Sequence, residues 1–428
     1  MKNKEADSLL KFIDASPTPY HAVDNIVELL KKEGGKELKE EKDWDCKPGS
    51  LYYVVRNDSS IISFKIPEKV NVGDCGFNMI AAHTDSPCLK LKPRSNKKAA
   101  NYLQWGVEIY GGVLLNSWLD RDLNLSGRVS YEVKGELKHK LISITDKFFR
   151  VPQLAIHLDR NVNDGLKLNP ETQMVPVLGL DSKKEAVDKM ILEALNVKGV
   201  KSTDIKSMDL LFHDSLPSSY GGVNDEFVFA PRLDNLAMSH AAVSSLLGSK
   251  PQSKISLIAL FDHEEVGSES SHGACSNFLN STLERIISSL DGSRGDFMKS
   301  MPNSFLVSAD MAHAFHPNYQ DRHDDTHRPL INEGPVIKTN ARIRYATDSI
   351  SASRFMMLCD KVKVPYQIFT GRNDIPCGST VGPLVSTRLG VSTLDVGNPQ
   401  LSMHSAREMS GADDHGMMIK VFKQLLKE

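Results

Sequence analysis

The chain of 428 residues is long enough for two or three ordinary domains and a core that can enclose a deep pocket, which excludes a disulfide-stapled miniprotein. Its 52 Lys and Arg nearly balance 54 Asp and Glu, a formal net charge of −2, so bulk charge gives no reason to invoke nucleic acid or an anionic membrane as partner. With 40% apolar and 25% charged residues the composition is that of an ordinary folded protein, and intrinsic disorder is excluded.

The N-terminal stretch is charged throughout and lacks the apolar core of a signal peptide, and no window approaches the roughly 18 consecutive apolar residues of a membrane span, so a cytoplasmic protein is expected. Apolar residues at helical spacing (Leu9, Leu10, Phe12, Ile13; then Val23, Ile26, Val27, Leu30) predict two helices within residues 5–32, broken at Ser16-Pro17-Thr18-Pro19. Ser50 to Val55 and Ile61 to Lys65 read as paired strands, and the short apolar run Met79 to Ala82 stops at His83-Thr84-Asp85. From Leu89 to Val228 the texture is β-type alternation, interrupted by one expected helix from Lys183 to Leu195.

From Asp234 onward helix and strand alternate. Helices are expected at Asn235 to Leu247, His272 to Leu290, Ser351 to Lys361, Gly382 to Leu389 and Ala406 to Leu426. Strands are expected at Ile255 to Phe261, Phe305 to Ala309, Tyr366 to Phe369 and Val391 to Asp395. The pattern predicts an α/β fold, a mixed sheet flanked by helices, formed by residues 1–88 and 229–428 and interrupted by a β-rich domain at 89–228. The six cysteines form no C-x-x-C pair, which argues against a thiolate zinc ribbon or a redox motif and for reduced thiols.

Functional side chains in α/β sheets collect beyond the carboxyl ends of strands. Here those ends carry His83 and Asp85, then Asp262, His263, Glu264 and Glu265, then Asp310 and His313, while two further loops add Asp234 and His404. Such oxygen and imidazole donors suit Zn²⁺ or a similar divalent ion. Two ions about 3.5–4 Å apart need a shared carboxylate and two private ligands each, and His83, Asp234, Glu265, Asp310 and His404 supply that number. On an extended backbone the adjacent Glu264 and Glu265 would point opposite ways, one to metal and the other to water as a base.

Ordered blocks run through nearly the whole chain: SPTPYH (16–21), AAHTDSP (81–87), WLDRDLNLSGRV (118–129), LAIHLDR (154–160), APRLDNL (230–236), FDHEEVGS (261–268), SADMAHAFHPNY (308–319), GPVIKTN (334–340), RNDIPCGSTVGP (372–383) and MHSAREM (403–409). With these blocks the chain resembles the aspartyl aminopeptidase and vacuolar aminopeptidase I family of dinuclear zinc exopeptidases. The resemblance implies two divalent ions per subunit, Zn²⁺ first, with Co²⁺ or Mn²⁺ as alternatives. By the same resemblance Asp234 bridges them, His83 and Asp310 complete one site, Glu265 and His404 the other, and Glu264 is the general base. Asp85 then orients His83, fixing its tautomer. The resemblance further implies peptide substrates with a free N-terminus and a preference for N-terminal Asp or Glu met by Lys338. It implies that the inserted domain builds a homo-oligomer, commonly a tetrahedral dodecamer, in which His157 reaches a neighbouring active site.

Taken singly, these residues have plainer readings: Asp234 could be a helix N-cap, a strand-end histidine structural, and Lys338 an edge lysine with its charge in water. Five donors together with an adjacent glutamate outweigh them. His313, His316, His323 and His327 make a histidine-dense loop, of which His313 is assigned to assembly or substrate contact. The run from Asp120 fails as an EF-hand because Leu125 and Tyr131 stand where Gly and Glu are required. His263 to Gly267 lacks the second histidine of H-E-x-x-H, and Gly378 to Gly382 lacks the central serine of a nucleophile elbow. The alternatives are a dinuclear aminopeptidase of neutral or broad specificity, or a catalytically idle scaffold or cargo protein of the same fold.

Overall fold

The computed structural model describes residues 3–180 and 185–428. By its internal contacts the chain divides into one unit of residues 1–85, 218–403 and 408–428, and a second of residues 86–217 with 404–407.

The first unit is built on a nine-stranded mixed sheet in the order Lys36–Glu37, Leu51–Arg56, Ser60–Lys65, Ile255–Phe261, Phe77–His83, Phe305–Ala309, Ser392–Gly397, Val336–Thr339, Gln367–Thr370. The four strands Ile255–Phe261, Phe77–His83, Phe305–Ala309 and Ser392–Gly397 run parallel, with Phe261 opposite His83 and Ala309 opposite Val396. Their carboxyl ends therefore open side by side. Every residue of the first three is buried, as expected of parallel strands covered on both faces. Strand alternation divides these residues between two cores: Ile80, Ala82, Ile258 and Leu260 pack with the helices Lys4–Ala15, Pro19–Lys32, Leu233–Gly248 and Asp414–Lys427. Met79, Ala81, Leu257, Ala259 and Phe261 pack on the other face with Phe278–Ser289 and Val381–Leu389. The N-terminal helix pair breaks where the prolines predict: Thr18 caps the second helix, accepting the His21 amide at 3.4 Å, with Pro19 in its first turn.

Two expected helices begin later than the periodicity suggests. The one expected from His272 runs only over Phe278–Ser289. Ahead of it the chain folds back, the Cys275 amide donating to the Ser268 carbonyl at 3.2 Å. A Cβ on Gly273 would lie 2.3 Å from the same oxygen, so only glycine permits that approach. The closing helix, expected from Ala406, runs over Asp414–Lys427. Residues Glu408–Gly411 are a strand instead, paired antiparallel with Phe227–Ala230 and Pro399–Leu401 in a separate five-stranded sheet. Long-range pairing overrides a local helical pattern there.

The second unit is a six-stranded antiparallel sheet in the order Glu136–Phe149, Leu123–Val133, Ile205–Asp214, Cys88–Ala99, Tyr102–Tyr110, Val177–Leu180. Its core gathers Trp105, Phe149 and Phe212, with ring centroids 5.9–6.3 Å apart. The expected helix from Lys183 is described over Glu185–Leu195, its first two residues lying outside the described ones. All six cysteines are free thiols and four are buried. No helix among the described residues is long and apolar enough to cross a membrane.

Candidate metal centre and active site

His83 ends its strand with a fully buried imidazole. Nδ1 lies 3.1 Å from the Asp85 carbonyl oxygen and 3.4 Å from Asp85 Oδ1. With Nδ1 donating there, the lone pair of a neutral ring falls on Nε2, which faces Asp234 Oδ1 at 3.5 Å and Glu264 Oε2 at 3.9 Å. Burial alone would lower the His83 pKa, but Asp234, Asp85 and Glu264 together raise it well above the usual range. The same negative field favours any cation at that point.

Asp234 stands at the start of the helix Leu233–Gly248, but it and Asn235 have non-helical dihedrals. The Asp234 amide donates to Glu408 Oε2 at 3.1 Å, while Asn235 Nδ2 donates to the Ala309 carbonyl at 2.8 Å. These bonds tie the Asp234 turn to two neighbouring elements. Donor atoms of His83, Asp234 and Glu265 lie within 4.8 Å of one another.

Glu264 and Glu265 do not lie on extended chain, as the alternation reading requires. They occupy a short 3₁₀ turn, Glu264–Val266, entered through His263 in a left-handed conformation (φ 64°). Both of their backbone amides donate to Asp85, Glu264 to Oδ1 at 3.2 Å and Glu265 to Oδ2 at 3.1 Å. Burial pushes Glu264 up to about 8, opposed by His83 and reinforced by Asp310, Asp85 and Asp234. Burial likewise raises Asp310, with Lys338 pulling it down and Asp234 pushing it up.

The buried Lys338 ammonium donates to the Met311 carbonyl at 2.9 Å, lies 3.6 Å from Asp310 Oδ1 and stands 5.3 Å from the Tyr345 ring centre. Tyr345, His313, His323, Arg322, Arg372 and Met403 contribute to the wall of a cavity of about 360 Å³ in the same unit. His404 belongs with the second unit, where its Nδ1 lies 3.0 Å from the Gly112 carbonyl oxygen. That contact favours a lone pair on Nε2. His157, also in the second unit, is exposed.

The chemistry of the donor set fits divalent zinc-like ions: imidazole and carboxylate without thiolate, with Asp85, Asp234 and Glu264 gathered around His83 and Asp310 beside Lys338. Sequence reading missed Glu408, whose buried carboxylate holds the Asp234 amide. It stands within the MHSAREM block, but only strand pairing brings it to Asp234.

The aminopeptidase I zinc metalloprotease (M18) family matches residues 12–426. Aspartyl aminopeptidase 1 of Schizosaccharomyces pombe is 44% identical over 444 residues, covering 98% of this chain and 93% of that protein. Among solved structures, a chain from an Ape4 and Nbr1 complex superposes with a TM-score of 0.95 at 42% identity, covering 99% of this chain and 85% of that one. The S. cerevisiae mApe1 dodecamer gives a TM-score of 0.85 at 29% identity, covering 99% and 96%. This chain belongs to the aminopeptidase I zinc metalloprotease (M18) family and is a metallo-aminopeptidase.

Proposed function

We propose that this metallo-aminopeptidase removes N-terminal Asp or Glu from peptides at a two-ion centre held by His83, Asp234, Glu265 and Asp310, with His404 assigned as the remaining ligand on the family resemblance. The observation that carries the reading is the convergence of His83, Asp234 and Glu265 donor atoms within 4.8 Å, with Glu264 at 3.9 Å from His83. When bound, a pair of divalent ions supplies Lewis acidity at the scissile carbonyl and acidifies a water. Asp234 is the carboxylate to be shared. Glu264 takes the water proton and returns it to the departing amine; its place 3.9 Å from His83 Nε2 and the burial that favours its protonated form support that role. Asp85 keeps the Glu264 turn and the His83 ring in register through its two carboxylate oxygens and its carbonyl.

Acidic preference is assigned to Lys338. Asp310 would serve as an ion ligand, and the buried Lys338 ammonium 3.6 Å from it would be the group to meet a substrate carboxylate. The curated relative named aspartyl aminopeptidase 1 supports the same choice. A homo-oligomer, a tetrahedral dodecamer with His157 reaching a neighbouring subunit, and a cytoplasmic site of action complete the reading. The solved mApe1 dodecamer supports the assembly. Hydrolysis of aspartyl, glutamyl and leucyl amides by zinc-loaded chain tests it: the acidic pair should be strongly preferred. Equal turnover would leave a broad aminopeptidase, and no turnover a scaffold.

A further inference from the structure

Asp262 follows the strand Ile255–Phe261, and its carboxylate is buried. Its Oδ2 lies 3.7 Å from Nε2 of His263 and 3.7 Å from Nε2 of His272. Both separations are too long for hydrogen bonds, yet both imidazoles turn the same nitrogen toward the same oxygen. Their opposite nitrogens are held by hydroxyls: His263 Nδ1 is 2.9 Å from Ser270 Oγ, and His272 Nδ1 is 3.2 Å from Ser271 Oγ. Candidate donor atoms of the three residues lie within 4.8 Å of one another. Among the described residues, these imidazoles are the only ion-pairing groups within 4.0 Å of Asp262, and neither Lys nor Arg offsets its charge.

A tetrahedral ion with bonds of about 2.0–2.1 Å holds its ligands about 3.4 Å apart; the two Asp262–imidazole separations of 3.7 Å are near that value, and the two imidazole nitrogens lie within 4.8 Å of each other. Partners on the far nitrogen are what metal-bound histidines ordinarily have, because they fix the tautomer and the ring plane. One group opposes the ion: Asn57 Nδ2 lies 3.2 Å from His272 Nε2. Asn57 is exposed, so its amide can rotate away, and a flipped amide offers Oδ1 as a fourth ligand.

We propose that Asp262, His263 and His272 form a further divalent transition-metal site, sharing no ligand with the His83 centre, that clamps the turn carrying Glu264 and Glu265. Two imidazoles with one carboxylate select zinc-class ions over Ca²⁺ or Mg²⁺, which take oxygen ligands. An ion there would fix His263, the residue immediately before the base, and so stiffen the turn without touching substrate.

Zinc content per chain, measured after equilibration with excess zinc and removal of free ion, tests the site in the full-length protein. Wild type should hold one equivalent more than His272→Gln, and His263→Asn should lose the same equivalent. Folded variants that hold as much zinc as wild type would overturn the proposal. Should the variants not fold, zinc-loaded wild-type crystals decide it: an anomalous peak among Asp262, His263 and His272 is expected, and its absence removes the site. Either failure leaves the His83 centre untouched, because its own peaks are read separately in the same map.

Discussion

The backbone amide of Glu264 donates to Asp85 Oδ1 at 3.2 Å. The other carboxylate oxygen takes the amide of Glu265, and the same residue's carbonyl faces His83 Nδ1. One side chain thus holds the turn that bears Glu264, the proposed base, and the neighbouring imidazole, which supports a positioning role for Asp85. Asp85→Asn retains one acceptor oxygen but points an amide group at the second backbone N–H. Zinc affinity at the His83 centre should fall about 10–100-fold in a chain that still folds, read by competition with a chromogenic chelator. Unchanged affinity would remove the role.

Glu264→Gln exchanges a carboxylate that can accept a proton for an amide that cannot, while leaving His83, Asp234, Glu265 and Asp310 in place. Turnover should drop about 10²–10⁴-fold, with zinc content equal to wild type. A loss of zinc together with activity would identify Glu264 as a ligand instead.

Lys338→Met removes the ammonium that lies 3.6 Å from Asp310 Oδ1. Aspartyl amides should lose far more kcat/KM than leucyl amides. Equal losses for the two would mean that Lys338 acts only by steadying Asp310.

On the helix Leu233–Gly248 that carries Asp234, His240 Nδ1 lies 2.8 Å from His415 Nε2, and His240 Nε2 lies 3.0 Å from Ser8 Oγ. Burial lowers His240 to about 4 and His415 well below the usual range. An unfolded histidine takes its proton near pH 6.5, so from there down to about 4 the unfolded chain holds more protons and stability falls with pH. The loss from His240 alone is roughly 3 kcal/mol over that window. Thermal unfolding followed from pH 7 to 4 should show it, and His240→Gln should flatten the slope.

The strands that lead to His83, Glu265 and Asp310 were legible because each is a short, mostly apolar run followed by donor residues. Their parallel pairing, with Phe261 level with His83, turns that pattern into a cluster. Other features depend on partners distant in sequence and leave little local signal. Glu408–Gly411 reads as the start of a helix until Phe227–Ala230 pairs with it, and only then does Glu408 reach the Asp234 amide. For the glutamate pair the expected geometry does not hold: Glu264 and Glu265 lie on a turn held by Asp85, where strand alternation was expected.

The central claim is that His83, Asp234, Glu265 and Asp310 hold two ions with Asp234 shared between them. Anomalous diffraction at the zinc edge from zinc-loaded crystals tests it most directly. Two peaks about 3.5–4 Å apart, one on either side of the Asp234 carboxylate, are predicted. A single peak there, or zinc bound only away from Asp234, would contradict the account.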